Sequence, residues 1–135
     1  MADDDKDDFI ILQQAAEKAR TKINITYAAN WIDLWRQLLK TLPDVIFLDL
    51  NMPVKDGFDC LYSLRQETRF QKLPIVIYST STNRTDIDKA YIAGANYFII
   101  KPNTLEEITH LLDRISSMNK QQLISIPARE EFIIL

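Results

Sequence analysis

Three short apolar runs, each ending on a polar residue, limit what this chain can become. Residues 45–48 read Val-Ile-Phe-Leu and meet Asp49, residues 75–78 read Ile-Val-Ile-Tyr and meet Ser79, and residues 97–100 read Tyr-Phe-Ile-Ile and meet Lys101. A run of this length without polar alternation suits a strand buried on both faces of a parallel sheet. Parallel neighbours need a crossover, and the segments between the runs have helical spacing. Phe58, Leu61 and Leu64 mark one helix face, and Ile87, Ala90, Tyr91 and Gly94 another. Leu105, Ile108, Leu112 and Ile115 mark a third, with Thr104 as its N-cap and Glu106 and Glu107 placed for the helix dipole. Upstream, Phe9, Leu12, Ala16 and Ala19 predict a first helix, with Asp7 and Asp8 suited to its N-terminus, and Ile23, Ile25 and Tyr27 alternate as a short strand. Ile32, Trp35, Leu39 and Leu42 return to helical spacing before Pro43. The alternation predicts a doubly wound α/β domain with helices on both faces, whose ligands collect beyond the carboxyl ends of the strands.

Composition narrows the function classes. A chain of 135 residues with 47% apolar and 26% charged residues has the size and balance of one ordinary globular domain. Its net charge of −3 gives no basic footprint, so direct nucleic-acid binding is not expected. Cys60 is the only cysteine, which excludes an internal disulfide and a multi-cysteine zinc site and fits a reducing, cytoplasmic location. No apolar stretch approaches the roughly 20 residues that span a bilayer, and the acidic start is the opposite of a signal peptide's positive segment, so no membrane role is expected.

The chemistry should lie where the strands end. Asp49, Ser79 and Lys101 each follow an apolar run, and Asp3 and Asp4 open the chain where a strand should have ended. A carboxylate, a hydroxyl, an ammonium and an acidic pair meeting in one crevice suit phosphoryl transfer. The acidic groups offer oxygen ligands to a hard divalent cation, while lysine and hydroxyl neutralise charge on the transferring oxygens. His110 reads as a surface residue of the last helix, and Trp31 and Trp35, four apart, as one helix face packing on the sheet.

The spacing of these groups resembles the receiver domains of response regulators. It runs Asp49-Leu50-Asn51-Met52-Pro53, then Asp56-Gly57, with Ser79 thirty residues beyond Asp49 and Lys101-Pro102 twenty-two beyond Ser79. The resemblance implies a flavodoxin-like five-stranded parallel sheet in the order 2-1-3-4-5, a receiver domain over residues 1–119 and a C-terminal extension over 120–135. It implies that Asp49 is the phosphoacceptor, and that Mg2+ is held by Asp4 directly, by Asp3 through water, by Asp49 and by the backbone carbonyl of Asn51. Ser79 matches the hydroxyl that swings to the phosphoryl group, Lys101 the lysine that pairs with it, and Phe98 the aromatic switch that follows. Asn51 and Ser81 stand where variable residues tune phosphoaspartate lifetime, and the Lys101–Pro102 peptide matches one that is cis in the family. Implied partners are a sensor histidine kinase or phosphotransfer protein and a downstream protein effector. Such a chain is a signalling phosphoacceptor rather than an enzyme, although it assists its own phosphoryl transfer and dephosphorylation.

One departure stands out. Receivers begin with an apolar strand before the acidic pair, and none precedes Asp3 here, whereas Phe132-Ile133-Ile134-Leu135 reads as a short buried strand. An empty slot beside the acidic pair would leave buried backbone unpaired, at about 1–3 kcal/mol per group. The expectation is that this tail fills the first-strand slot, either from its own chain or exchanged with a neighbour in a strand-exchanged dimer. The alternative is an ordinary extension on a sequence that starts after its first strand. There are two rival functions. A haloacid dehalogenase-type phosphatase needs a second aspartate where Asn51 stands. A degenerate receiver serving as an unphosphorylated binding or scaffold module would fit a damaged metal pair.

Overall fold

The three apolar runs form strands β1 (Ile46–Leu48), β2 (Ile75–Ser79) and β3 (Tyr97–Ile100) in the computed structural model, which describes residues 1–134. All pair in parallel, with Leu48 opposite Ile77 and Ile77 opposite Phe98. Five longer helices surround them: α1 (Lys6–Lys18), α2 (Trp31–Lys40), α3 (Gly57–Gln66), α4 (Arg84–Ile92) and α5 (Leu105–Ser117). Each starts on a side chain that accepts a backbone N–H of its own first turn, from Asp5, Asn30, Asp56, Asn83 and Thr104 respectively. A short α6 (Lys120–Ile124) and the two-residue strand β4 (Ile133–Ile134) follow.

Strand alternation divides the core. Ile46, Leu48, Ile75, Ile77 and Phe98 pack on one face with Leu34 and Leu38 of α2, Cys60, Leu61 and Leu64 of α3, and Ile87 and Ala90 of α4. Phe47, Val76, Tyr78, Tyr97 and Ile99 pack on the other with Leu12, Ala15 and Ala16 of α1 and Ile108, Leu111, Leu112 and Ile115 of α5. Trp31 and Trp35 pack at the edge of the first cluster, Trp35 edge-on to Phe70 at 5.6 Å between ring centroids. The expected face of α2 is displaced by one position, since Ile32, Leu39 and Leu42 are 64%, 53% and 57% exposed while Leu34 and Leu38 are buried. Residues 31–42 hold two overlapping sets of apolar spacings, and the set carrying both indole rings faces inward.

The expected filling of the first-strand slot is corrected by the structure. The slot beside β1 is occupied by Met1, Ala2 and Asp3. Ala2 N–H donates to Phe47 O at 2.8 Å and Ala2 O accepts from Asp49 N–H at 2.9 Å. On its other side Ala28 N–H donates to Met1 O at 2.8 Å and Asp3 N–H to Ala28 O at 3.0 Å. The sheet has four strands in the order β1-β2-β3-β4, and where the expected first and second strands would lie beside β1 there are only single parallel bridged residues, Ala2 and then Ala28, rather than full strands. Ile23, Ile25 and Tyr27 form no strand. The tail lies at the opposite edge of the sheet, where Ile133 and Ile134 pair in parallel with Phe98 and Ile99 of the same chain. It goes there because the central slot already has its hydrogen bonds, while β3 offers an open edge and an aromatic recess for Phe132. Leu135, the last residue of the expected strand, lies outside the described residues. Among the described residues there is no cis peptide bond, so the Lys101–Pro102 peptide is trans, contrary to expectation.

One glycine fixes the distance between the sheet and α3. Gly57 N–H donates to Leu50 O at 2.9 Å, and a Cβ built on Gly57 would lie 2.2 Å from Asp49 O and 2.7 Å from Leu50 Cα. Both obstacles are backbone and cannot swing aside. Gly57→Ala is expected to cost about 1–3 kcal/mol by overpacking, read as a lower urea midpoint with an unchanged slope.

Candidate functional site

Parallel register brings the strand ends together. Leu48 of β1 lies opposite Ile77, two residues before Ser79, and Ser79 lies opposite Ile100, one residue before Lys101. Ser79 O accepts the Lys101 N–H at 2.8 Å, fixing the exit of β3 against that of β2. The bridged Ala2 delivers Asp3 and Asp4 to the same end. Asp3, Asp4 and Asp49 each offer a carboxylate oxygen, and these oxygens lie within 4.8 Å of one another. Asp3 and Asp49 are 0% and 5% exposed, whereas Asp4 faces solvent.

Lys101 answers this buried negative charge. Its Nζ lies 2.9 Å from Asp3 Oδ2, 2.7 Å from Asp8 Oδ2 and 3.7 Å from Asp49 Oδ1. Burial pulls the ammonium toward deprotonation, but its hydrogen bonds to Asp8 and Asp3 outweigh that and raise its pKa. Burial likewise raises the Asp3 carboxyl, with Lys101 opposing. Asp49 is pushed up to about 6, first by burial, with Lys101 pulling down and Asp3 pushing further up. The Asn51 backbone N–H also pulls it down.

Ser79 is fully buried on the β2 face that also carries Ile77, and its Oγ accepts the Ser81 N–H at 3.1 Å. Ser81 Oγ in turn donates to Asp86 Oδ2 at 2.7 Å. Phe98 lies on the same face of β3, fully buried, with its ring 6.2 Å from that of Phe132. Asn51 is exposed at the rim. Sequence reasoning missed Asp8, assigning it to the N-terminus of the first helix. One turn into α1, it gives Lys101 its shortest contact. Its five-residue separation from Asp3 was the available signal, because a helix that starts at Lys6 returns position 8 toward the strand end it has just left. His110 is exposed, 3.8 Å from Glu106.

Residues 1–113 match the family described as response regulator receiver domain. The response regulator Rcp1 of Synechocystis is 30% identical over 86 residues, which span 64% of this chain and 58% of that protein. A solved Mn(2+)-bound form of response regulator Rcp1 matches with a TM-score of 0.75 at 24% identity, over 94% of this chain and 96% of that one. The phosphorylated cyanobacterial phytochrome response regulator RcpA matches with a TM-score of 0.76 at 25% identity, over 94% and 93% of the two chains. By sequence, the chain spans about half the length of the first curated relatives it matches.

The raised Asp49 pKa makes this site costly to fold. Between the ordinary 3.8 and about 6 the folded chain holds a proton on Asp49 that the unfolded chain has released. Stability therefore falls as pH rises through that window, and the cost is complete at neutral pH. In the presence of chelator, Asp49→Asn should stabilise the protein by about 1–3 kcal/mol at neutral pH. The gain should fall steeply as pH is lowered toward 4, where Asp49 is protonated in the folded chain and is becoming so in the unfolded one. Thermal unfolding at the two pH values measures it.

Proposed function

The chain belongs to the response regulator receiver domain family of two-component systems, and from that membership we propose that Asp49 is its phosphoacceptor. Receiver domains are signalling modules rather than classical enzymes, and they work with histidine kinases or phosphotransfer proteins on one side and effectors on the other. The observation that carries the assignment is the ammonium of Lys101 set among buried Asp3 and Asp49 and half-buried Asp8 at the carboxyl end of a parallel sheet. In the transfer, an Asp49 carboxylate oxygen forms a bond to phosphorus with its own lone pair while the donor's bond to phosphorus breaks and the donor atom leaves with that bond's electron pair. Lys101 is placed to meet the charge on the arriving oxygens, and Ser79 to hydrogen-bond one of them.

The donor set suits a hard divalent cation, because three carboxylates converge and two of them are buried at a cost that a cation would relieve. Asp3, Asp4 and Asp49, with the Asn51 carbonyl, would hold Mg2+, whose chemistry is to neutralise oxygens of the phosphoryl group. Phe98 and Ser79 act together as the switch, and output passes to a protein effector. Residues 1–119 are read as the receiver unit and 120–135 as its extension, working in the cytoplasm. Among the described residues, no helix is long and apolar enough to cross a membrane.

Incubation with a small phosphodonor and Mg2+, followed by intact mass, tests the assignment. One phosphoryl adduct is expected, lost in Asp49→Ala and formed at least about tenfold more slowly in Lys101→Met. A wild-type chain that takes no adduct would instead support the unphosphorylated binding module.

A further inference from the structure

Residues beyond the family match, 114–134, include a segment that covers the outer edge of β3. Phe132 is 0% exposed, with its ring 5.0 Å from Tyr91 and 6.2 Å from Phe98. Phe98 N–H donates to Phe132 O at 3.0 Å, and Ile133 and Ile134 continue the ladder. The approach to this strand is held by polar contacts from the body. Arg129 donates through Nε and Nη2 to Asp88 Oδ1 at 2.8 and 2.6 Å, Tyr91 Oη to Pro127 O at 2.8 Å, and Asn96 Nδ2 to Ser125 O at 3.0 Å. The surface thus recognises an extended segment carrying a guanidinium three residues before an aromatic, followed by two aliphatic residues. Its main-chain pairing resembles strand addition in peptide recognition.

The same strand serves both sites. Two residues separate Phe98, under Phe132, from Lys101, whose ammonium sits on the acidic cluster, and Phe98 shares the face of the sheet that holds Ser79. We propose that the β3 edge with Tyr91, Asp88 and Phe98 is an interaction surface occupied by the chain's own segment 126–134, and that phosphorylation of Asp49 releases this segment. The inference rests on the phosphoacceptor reading of Asp49. A move of Phe98 toward Ser79 withdraws the apolar floor on which Phe132 packs, and a shift of β3 is carried into β4 through their shared ladder. Release then frees the edge for a partner segment of the same chemistry. By linkage, whatever weakens docking of the segment favours phosphorylation.

Hydrogen exchange of the full chain, with and without small phosphodonor and Mg2+, is read by mass spectrometry while intact mass reports the adduct in the same samples. Exchange in peptides covering 126–134 should rise about tenfold when the adduct is present. Arg129→Ala removes a half-exposed ion pair and leaves the core alone. It should raise exchange there without phosphodonor and increase the phosphorylated fraction about two- to threefold, and Arg129→Lys should restore both in part. An adduct with unchanged exchange over 126–134 would overturn the coupling alone. The same holds if Arg129→Ala loosens the segment without altering phosphorylation. Absence of any adduct would overturn the Asp49 assignment, and the coupling with it.

Discussion

Three carboxylates and one ammonium share a site with little access to water, and much of the molecule is arranged so that they can. Two of the carboxylates, Asp3 and Asp49, are almost fully withdrawn from solvent. Isolated charges in such a place cost several kcal/mol each even after relaxation, so they persist only with close, hydrogen-bonded compensation. Lys101 supplies it, and it can do so only because β3 ends where β1 and the bridged Ala2 end. The compensation is also unequal. Lys101 bonds closely to Asp3 and Asp8 and stands farther from Asp49, which leaves Asp49 with the strongly raised pKa and the weakest hold on the cation. A group in that condition is poised to accept a new positive partner.

The sheet itself is economical at its centre. Two backbone hydrogen bonds join Ala2 to Phe47 and Asp49, and two more join Met1 and Asp3 to Ala28; together they stand in for a full first strand and place the acidic pair at the carboxyl end of the sheet. On the other side of the site Gly57 permits α3 to touch the backbone of Asp49 and Leu50, so the loop carrying Asn51 is anchored at both ends.

Much of this was legible in the residues. The three double-faced apolar runs gave β1, β2 and β3, and the polar residue after each gave three corners of the site, because strand burial and strand termination leave strong local marks. The features that were not legible depend on competition between distant partners. Helix α2 carries two apolar stripes, and which one faces inward was decided by how Trp31, Leu34, Trp35 and Leu38 fit the core. The tail's apolar pattern marked it as a buried strand without saying which edge would take it. That depended on Ala2 satisfying one edge and on Tyr91 and Phe98 making a recess at the other. Asp8 looked like helix-dipole chemistry, since its return toward the strand end depends on α1 starting at Lys6, and the lysine it meets lies ninety-three residues away.

The shortness of β4 has its own consequence. Two residues and the carbonyl of Phe132 are enough to cover the outer edge of β3 beside Phe98 and Ile99, yet too few to present a long template to another sheet. A covered β3 gives little purchase for edge-to-edge aggregation, whereas an uncovered one would offer four consecutive apolar residues, 97–100, as a seed for it. Resistance to edge-to-edge self-association is thus tied to a handful of residues, 132–134, and conditions that loosen them should promote self-association before they unfold the core.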